Sequence, residues 1–163
     1  MPKVEAAFPH ADHDHGMCGA DALAAASARC AARGAKLTEI RREVLELVWS
    51  SHRPIGAYDI LASLGRDGRR IAPPTVYRAL DFLLEHGLVH RVASRNAFIG
   101  CSTPGHVQAR EILICTQCGS AVEVEEPRIA SAVSASAGKL GFEVMQQTIE
   151  VLGRCAACQA AAS

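Results

Sequence analysis

Apolar positions recur along this chain with two different periods, and the change from one to the other marks its organisation. Up to Gly87 they fall at helical spacing. An alanine-rich stretch over residues 21–33 ends at Gly34, and Thr38 stands as the N-cap of a second helix whose apolar face is Ile40, Val44, Leu45, Leu47 and Val48, closed by Pro54. A third, short helix over residues 57–64 turns Ile60, Leu61 and Leu64 inward and ends near Gly65. Pro73 and Pro74 introduce a fourth, in which Val76, Leu80, Leu83 and Leu84 line one face and Gly87 supplies the stop.

Beyond Gly87 the period shortens. Residues 88–92 and 97–100 are β-rich runs joined by Ala93-Ser94-Arg95-Asn96, a hairpin turn. Three helices and a two-stranded wing in that order describe a winged helix-turn-helix, whose last helix enters the major groove of DNA. The polar face of that helix carries Thr75, Tyr77, Arg78 and Asp81. Arg78 can donate a bidentate pair to guanine O6 and N7, while Thr75 and Tyr77 can bind phosphate or stack on sugar and base edges. An ordinary solvated face of an amphipathic helix is equally compatible with those residues. Further along, residues 112–114 and 121–125 read as strands, 127–140 as a helix and 142–152 as a third strand rich in Val, Ile and Thr. The fold class expected is α+β.

Composition narrows the class. With 163 residues, 49% of them hydrophobic, the chain can bury one good core or two small ones. No apolar run approaches the length that spans a bilayer, and no charged n-region followed by an apolar h-region opens the chain, so a cytoplasmic protein in a reducing compartment is expected. Net charge is zero, which names no partner, but the charges are unevenly placed. Residues 29–95 hold twelve basic and seven acidic side chains, whereas the segments before and after carry acidic excesses. A polyanion is therefore met in that central segment.

The most specific chemistry lies in two C-x-x-C pairs, Cys115/Cys118 and Cys155/Cys158, with 36 residues between them. Four thiolates at this spacing close one tetrahedral zinc site, and a site with no open position is structural. Disulfides and a thioredoxin-like couple fit less well: the compartment is reducing, and a redox C-x-x-C is expected once, early, after a strand of a βαβ unit. No H-E-x-x-H helix or nucleophile-base constellation occurs, so no enzyme is expected. Within nine residues, the segment from His10 to Cys18 holds three histidines, two aspartates and a cysteine. It reads as a flexible extension with incidental metal affinity, and Cys18 and Cys30 as non-ligands.

The run Pro73-Pro74-Thr75-Val76-Tyr77-Arg78-Ala79-Leu80-Asp81-Phe82-Leu83 resembles the recognition helix of the ferric uptake regulator superfamily, and the C-x-x-C pairs resemble its structural zinc site. With Gly87-Leu88-Val89-His90 after it, the match is to the zinc-responsive branch, over about residues 29–160. The resemblance implies a homodimer with a flexible extension over 1–20, a winged-helix DNA-binding domain over 21–100, a hinge over 101–109 and an α/β dimerisation domain over 110–163. It also implies a sensing site. His90, Cys101, His106 and Glu123 match that site residue by residue, giving two nitrogens, one sulfur and one oxygen, a tetrahedral set that suits zinc. Glu125, two residues along from Glu123, is an alternative carboxylate. Tyr58 resembles a family position that faces DNA, or is a partly buried aromatic in a helix pair.

The function so implied is a zinc-responsive transcriptional repressor that carries two zinc ions per chain, binds operator DNA as a dimer and controls zinc-uptake genes. Iron and peroxide sensors of the superfamily carry a histidine-rich stretch with an aspartate before the first C-x-x-C. Here that stretch is Gly105-His106-Val107-Gln108-Ala109-Arg110-Glu111, which lacks the N/O set. A sensor of iron, manganese or nickel is the alternative, followed by a non-sensing zinc-ribbon adaptor that binds protein.

Overall fold

Two apolar stripes, one on each of the helices Glu39–Trp49 (α2) and Pro73–Glu85 (α4), meet in the N-terminal half and organise the helices around them. The structure is a computed structural model that describes residue 8, residues 15–104 and residues 109–161, without the side chains of 15–18 and 109. It divides into two compact units, one over Pro9–Gly105 and the other containing His106–Ser163.

In the N-terminal unit α2 and α4 pack with α1 (His15–Ala32) and α3 (Ala57–Leu64). Val44, Leu45 and Val48 from α2, Ile60 and Leu64 from α3, and Val76, Ala79, Leu80 and Leu83 from α4 are buried together. Ala26 and Cys30 close that core from α1. Burial raises the Cys30 thiol above its ordinary range, against the pull of Arg41, Arg29 and Arg33. That is the environment of a core residue.

The helix ends depart from expectation in small, explicable ways. α1 begins at His15 rather than at residue 21, and α2 stops at Trp49, well before Pro54. The stop is made locally: the Ser50 hydroxyl and its backbone N–H both donate to the Leu47 carbonyl. Thr38 does hold the N-cap position of α2, yet its side chain makes no capping hydrogen bond. Gly87 ends α4 as expected. With φ at +64° it lets its own N–H donate to Leu84 O and that of Leu88 to Leu83 O, so the chain turns straight into the wing.

The wing strands are β2 (Val89–Val92) and β3 (Ala97–Gly100), antiparallel, with a short 3₁₀ turn over Ala93–Arg95 and Asn96 in the left-handed region. Sequence periodicity did not disclose a third strand, β1 (Ile55–Gly56), which pairs with β3 to give the order β1-β3-β2. Two residues are too few to show alternation.

The C-terminal unit is a second three-stranded sheet. β4 (Ala109–Cys115) lies between antiparallel β5 (Ala121–Val124) and parallel β6 (Gln147–Gly153), and α5 (Pro127–Gly138) makes the crossover that a parallel pair requires. The expected strand over 142–152 is shorter at its start, because Phe142 N–H is committed to Ala137 O in the turn that ends α5. A last helix, α6 (Ala156–Ala160), was not foreseen. No residue of α5 is buried, and Leu140, Phe142, Met145, Val151 and Leu152 stand exposed.

Candidate metal centre and nucleic-acid interface

The topology of the second sheet brings the two C-x-x-C pairs together. Cys115 is the last residue of β4 and pairs in register with Gly153, the last of β6. From there Thr116 folds back, its N–H and hydroxyl both donating to the Gly153 carbonyl, and Gly119 N–H returns to Cys115 O. Across the gap Cys155 caps α6, and its N–H donates to Cys115 Sγ. All four sulfurs then lie within 4.8 Å of one another.

The separations discriminate between chemistries. Cys118 Sγ and Cys155 Sγ are 3.9 Å apart. A disulfide needs about 2.05 Å; four thiolates around zinc, each about 2.3 Å from the ion, stand about 3.8 Å from one another. The set thus fits a tetrahedral thiophilic ion. Electrostatics agree. Backbone N–H groups of Cys118 and then Cys155 bring the Cys115 thiol down to about 5, and the Ser120 hydroxyl lowers that of Cys118. Cys158 is pushed up to about 12, first by its hydrogen bond to Cys155 and then by burial. Two acidic thiols beside one that keeps its proton is the pattern of a cluster lacking enough positive charge, which a divalent ion supplies.

A second group of donors lies in the wing. His90 on β2 is opposite Ile99, and Cys101 follows β3, so the two are diagonal neighbours on one face. Their ligand atoms come within 4.8 Å, and Cys101 is buried with its N–H on Leu88 O. Glu123 lies on β5, opposite Ile112, and its carboxylate forms an ion pair with Arg110. That partner was not singled out in the sequence; the only hint was a basic residue at the start of an apolar strand. His106 and residues 10–14 lie outside the described residues, as does the Cys18 side chain. Glu125 is exposed and falls one residue past β5.

On the opposite character of surface, α4 buries Val76, Ala79, Leu80 and Leu83 and leaves Thr75, Tyr77 and Arg78 exposed. Tyr77 is 56% and Tyr58, near the start of α3, 80% exposed. The partly buried reading of Tyr58 is therefore excluded. Between α3 and α4, Arg69 donates both guanidinium nitrogens to the Glu43 carboxylate at 3.0 and 2.8 Å, which ties the loop to α2 and leaves Arg66 and Arg70 in solvent. Two exposed tyrosines, with the exposed guanidinium groups of Arg66 and Arg70 in the loop between α3 and α4, offer chemistry suited to phosphates and base edges.

A winged helix joined in one chain to a sheet domain with a closed thiolate centre defines a metal-binding transcription regulator. The ferric uptake regulator family matches residues 32–152, and the chain belongs to that family. It is 42% identical to the zinc uptake regulation protein of Escherichia coli (strain K12) over 139 residues, 83% of this chain and 80% of that protein. A solved structure of a zinc uptake regulator complexed with zinc and DNA aligns with a TM-score of 0.83 and 38% identity, covering 88% of this chain and 97% of the other. The crystal structure of holo XcZur gives a TM-score of 0.78 at 44% identity, covering 85% and 96%.

Proposed function

We propose that this chain is a zinc-responsive repressor that binds operator DNA as a homodimer and controls zinc-uptake genes from the cytoplasm. The observation that carries the reading is the pairing of His90 with Cys101 on the wing of the DNA-binding unit, apart from the closed thiolate centre. A donor set that includes a thiol favours zinc over iron or manganese. Relatives at about this similarity are zinc uptake regulators, one solved with both zinc and DNA. Among the described residues no helix is long and apolar enough to cross a membrane.

Two ions per chain take separate roles in this reading. Cys115, Cys118, Cys155 and Cys158 hold one permanently. His90, Cys101, His106 and Glu123 hold the other when the metal is plentiful. An ion held by these side chains would supply a cross-link between them. His90 and Cys101 fix the wing side of that link, and Glu123 fixes the β5 side, so the hinge over 101–109 stiffens. Tyr58, Thr75, Tyr77 and Arg78 of two protomers then meet half-sites on one face of the duplex. The exposed apolar side chains of the C-terminal unit, Leu140, Phe142, Met145, Val151 and Leu152, supply the surface for the second protomer. Operator binding measured across buffered zinc, with metal content determined for the parent chain and Cys101→Ala, tests the reading. Loss of one ion together with loss of zinc-dependent binding is the expected result; binding indifferent to zinc in the parent chain would overturn it.

A further inference from the structure

In the C-terminal sheet, Arg110 on β4 and Glu123 on β5 are charged residues held out of solvent, as is Glu111 beside Arg110. Glu123 on β5 is opposite Ile112 on β4, which makes Arg110, two residues before Ile112, its diagonal neighbour on the same face of the sheet. The guanidinium reaches across, and Arg110 Nη1 donates to Glu123 Oε1. Both side chains are nearly closed to water, at 11% and 7% exposure. A carboxylate so placed is stabilised in its charged form by a cation close by.

We propose that Arg110 is an internal cation that competes with the regulatory metal for Glu123, and so sets how much zinc the site requires. The inference rests on the reading of Glu123 as a ligand of that metal. A metal drawing on the Glu123 carboxylate meets a guanidinium already donating to it, and the two positive charges repel in a poorly solvated setting. Without the metal, Arg110 keeps Glu123 neutralised and the β4–β5 pair intact. With the metal, the carboxylate is shared or surrendered. Arg110 thereby lowers zinc affinity while protecting the metal-free fold. A residue that merely oriented Glu123 for binding would do the reverse and raise affinity.

That difference in sign makes the test decisive. The full-length chain with its thiolate centre loaded is titrated with zinc at buffered free concentrations, with a chromophoric chelator in competition. Arg110→Met, which keeps an unbranched apolar stem and removes the charge, is expected to tighten the second zinc about tenfold or more, since the carboxylate no longer shares its charge with the guanidinium. It is also expected to lower the melting temperature in chelator more than in zinc. Arg110→Lys keeps the charge and loses the planar fork, so it gives a smaller tightening and covers the case in which the methionine variant does not fold. In a Glu123→Gln background, Arg110→Met should change zinc affinity little. Unchanged or weaker zinc binding in both Arg110 variants overturns the inference while leaving Glu123 as a ligand. If instead Glu123→Gln alone binds the second zinc as tightly as the parent chain, the ligand assignment fails, and the inference with it.

Discussion

The indole of Trp49, the last residue of α2, sits directly over the backbone of Gly100, the last residue of β3. A Cβ placed on Gly100 would stand 2.1 Å from Trp49 Cε2 and 2.4 Å from Nε1, so only glycine fits. The contact joins the helical core to the end of the wing, one residue before Cys101. Gly100→Ala should therefore force the indole out of its seat and destabilise the DNA-binding unit by about 1–3 kcal/mol, read as a lower urea midpoint. Trp49 is the sole tryptophan of the chain. Its fluorescence should respond to zinc added beyond the first equivalent and not in Cys101→Ala.

The recognition surface should lose affinity without losing stability. Arg78 is exposed and makes no packing contribution to the core of α4. Arg78→Ala is expected to weaken operator binding by about 1–3 kcal/mol and to relax discrimination at one base pair. Arg66→Ala, in the exposed basic loop, should weaken all sequences alike and reduce the salt slope by about one. Gel shifts over a range of salt separate the two behaviours, and the melting temperature should be unchanged in both.

Zinc retention at the thiolate centre should fall with acidity. Cys115 is already ionised above about 5, but Cys158 holds its proton up to about 12 in the metal-free cluster, so loading the site releases protons. The metal-free form binds more protons, and lowering the pH therefore drives release. A zinc indicator should report slow release near neutrality and faster release as the pH is lowered. Cys158→Ala should lose the ion at neutral pH.

A separate acid-sensitive contact caps α5. Glu126 is held down at about 2, first by its side-chain hydrogen bond from Arg128 and then by the Arg128 backbone N–H. Its folded value lies below the ordinary 4.5, so the stabilisation is complete above 4.5 and is lost as the pH falls through about 2. Glu126→Gln should lower the melting temperature at neutral pH and show a shallower acid loss than the parent chain.

The elements legible in the sequence were those with long periodic patterns or fixed punctuation. The stripe Val76, Leu80, Leu83 with prolines before it and Gly87 after it placed α4 to within a residue, because proline and glycine act through backbone geometry that no tertiary contact alters. The thiolate centre was legible for a similar reason: two knuckles fix their own loops, and only their meeting had to be supplied by the β4–β6 pairing. What stayed hidden depended on distant partners. β1 exists through its bonds to β3, the early end of α2 through a serine hydroxyl on Leu47 O, and Arg110 acquires meaning only when β5 brings Glu123 alongside. The exposure of Tyr58 was likewise a matter of how α3 is rotated, which Ile60, Leu61 and Leu64 on one short helix do not determine.

Dimer formation has its own test. Phe142 and Leu140 are 66% and 86% exposed although large and apolar. Phe142→Glu should shift the chain toward a monomer in analytical ultracentrifugation and abolish operator binding even in excess zinc, with the thiolate zinc retained.

The central claim is that zinc at a second, exchangeable position sets DNA affinity while the thiolate zinc stays in place. Its most direct measurement is operator affinity of the purified chain by fluorescence anisotropy across buffered free zinc, with bound metal counted at each point. The account predicts tight binding at two zinc ions per chain and a loss of about a hundredfold, ~2.7 kcal/mol, at one. Equal affinity at one and two ions would contradict it.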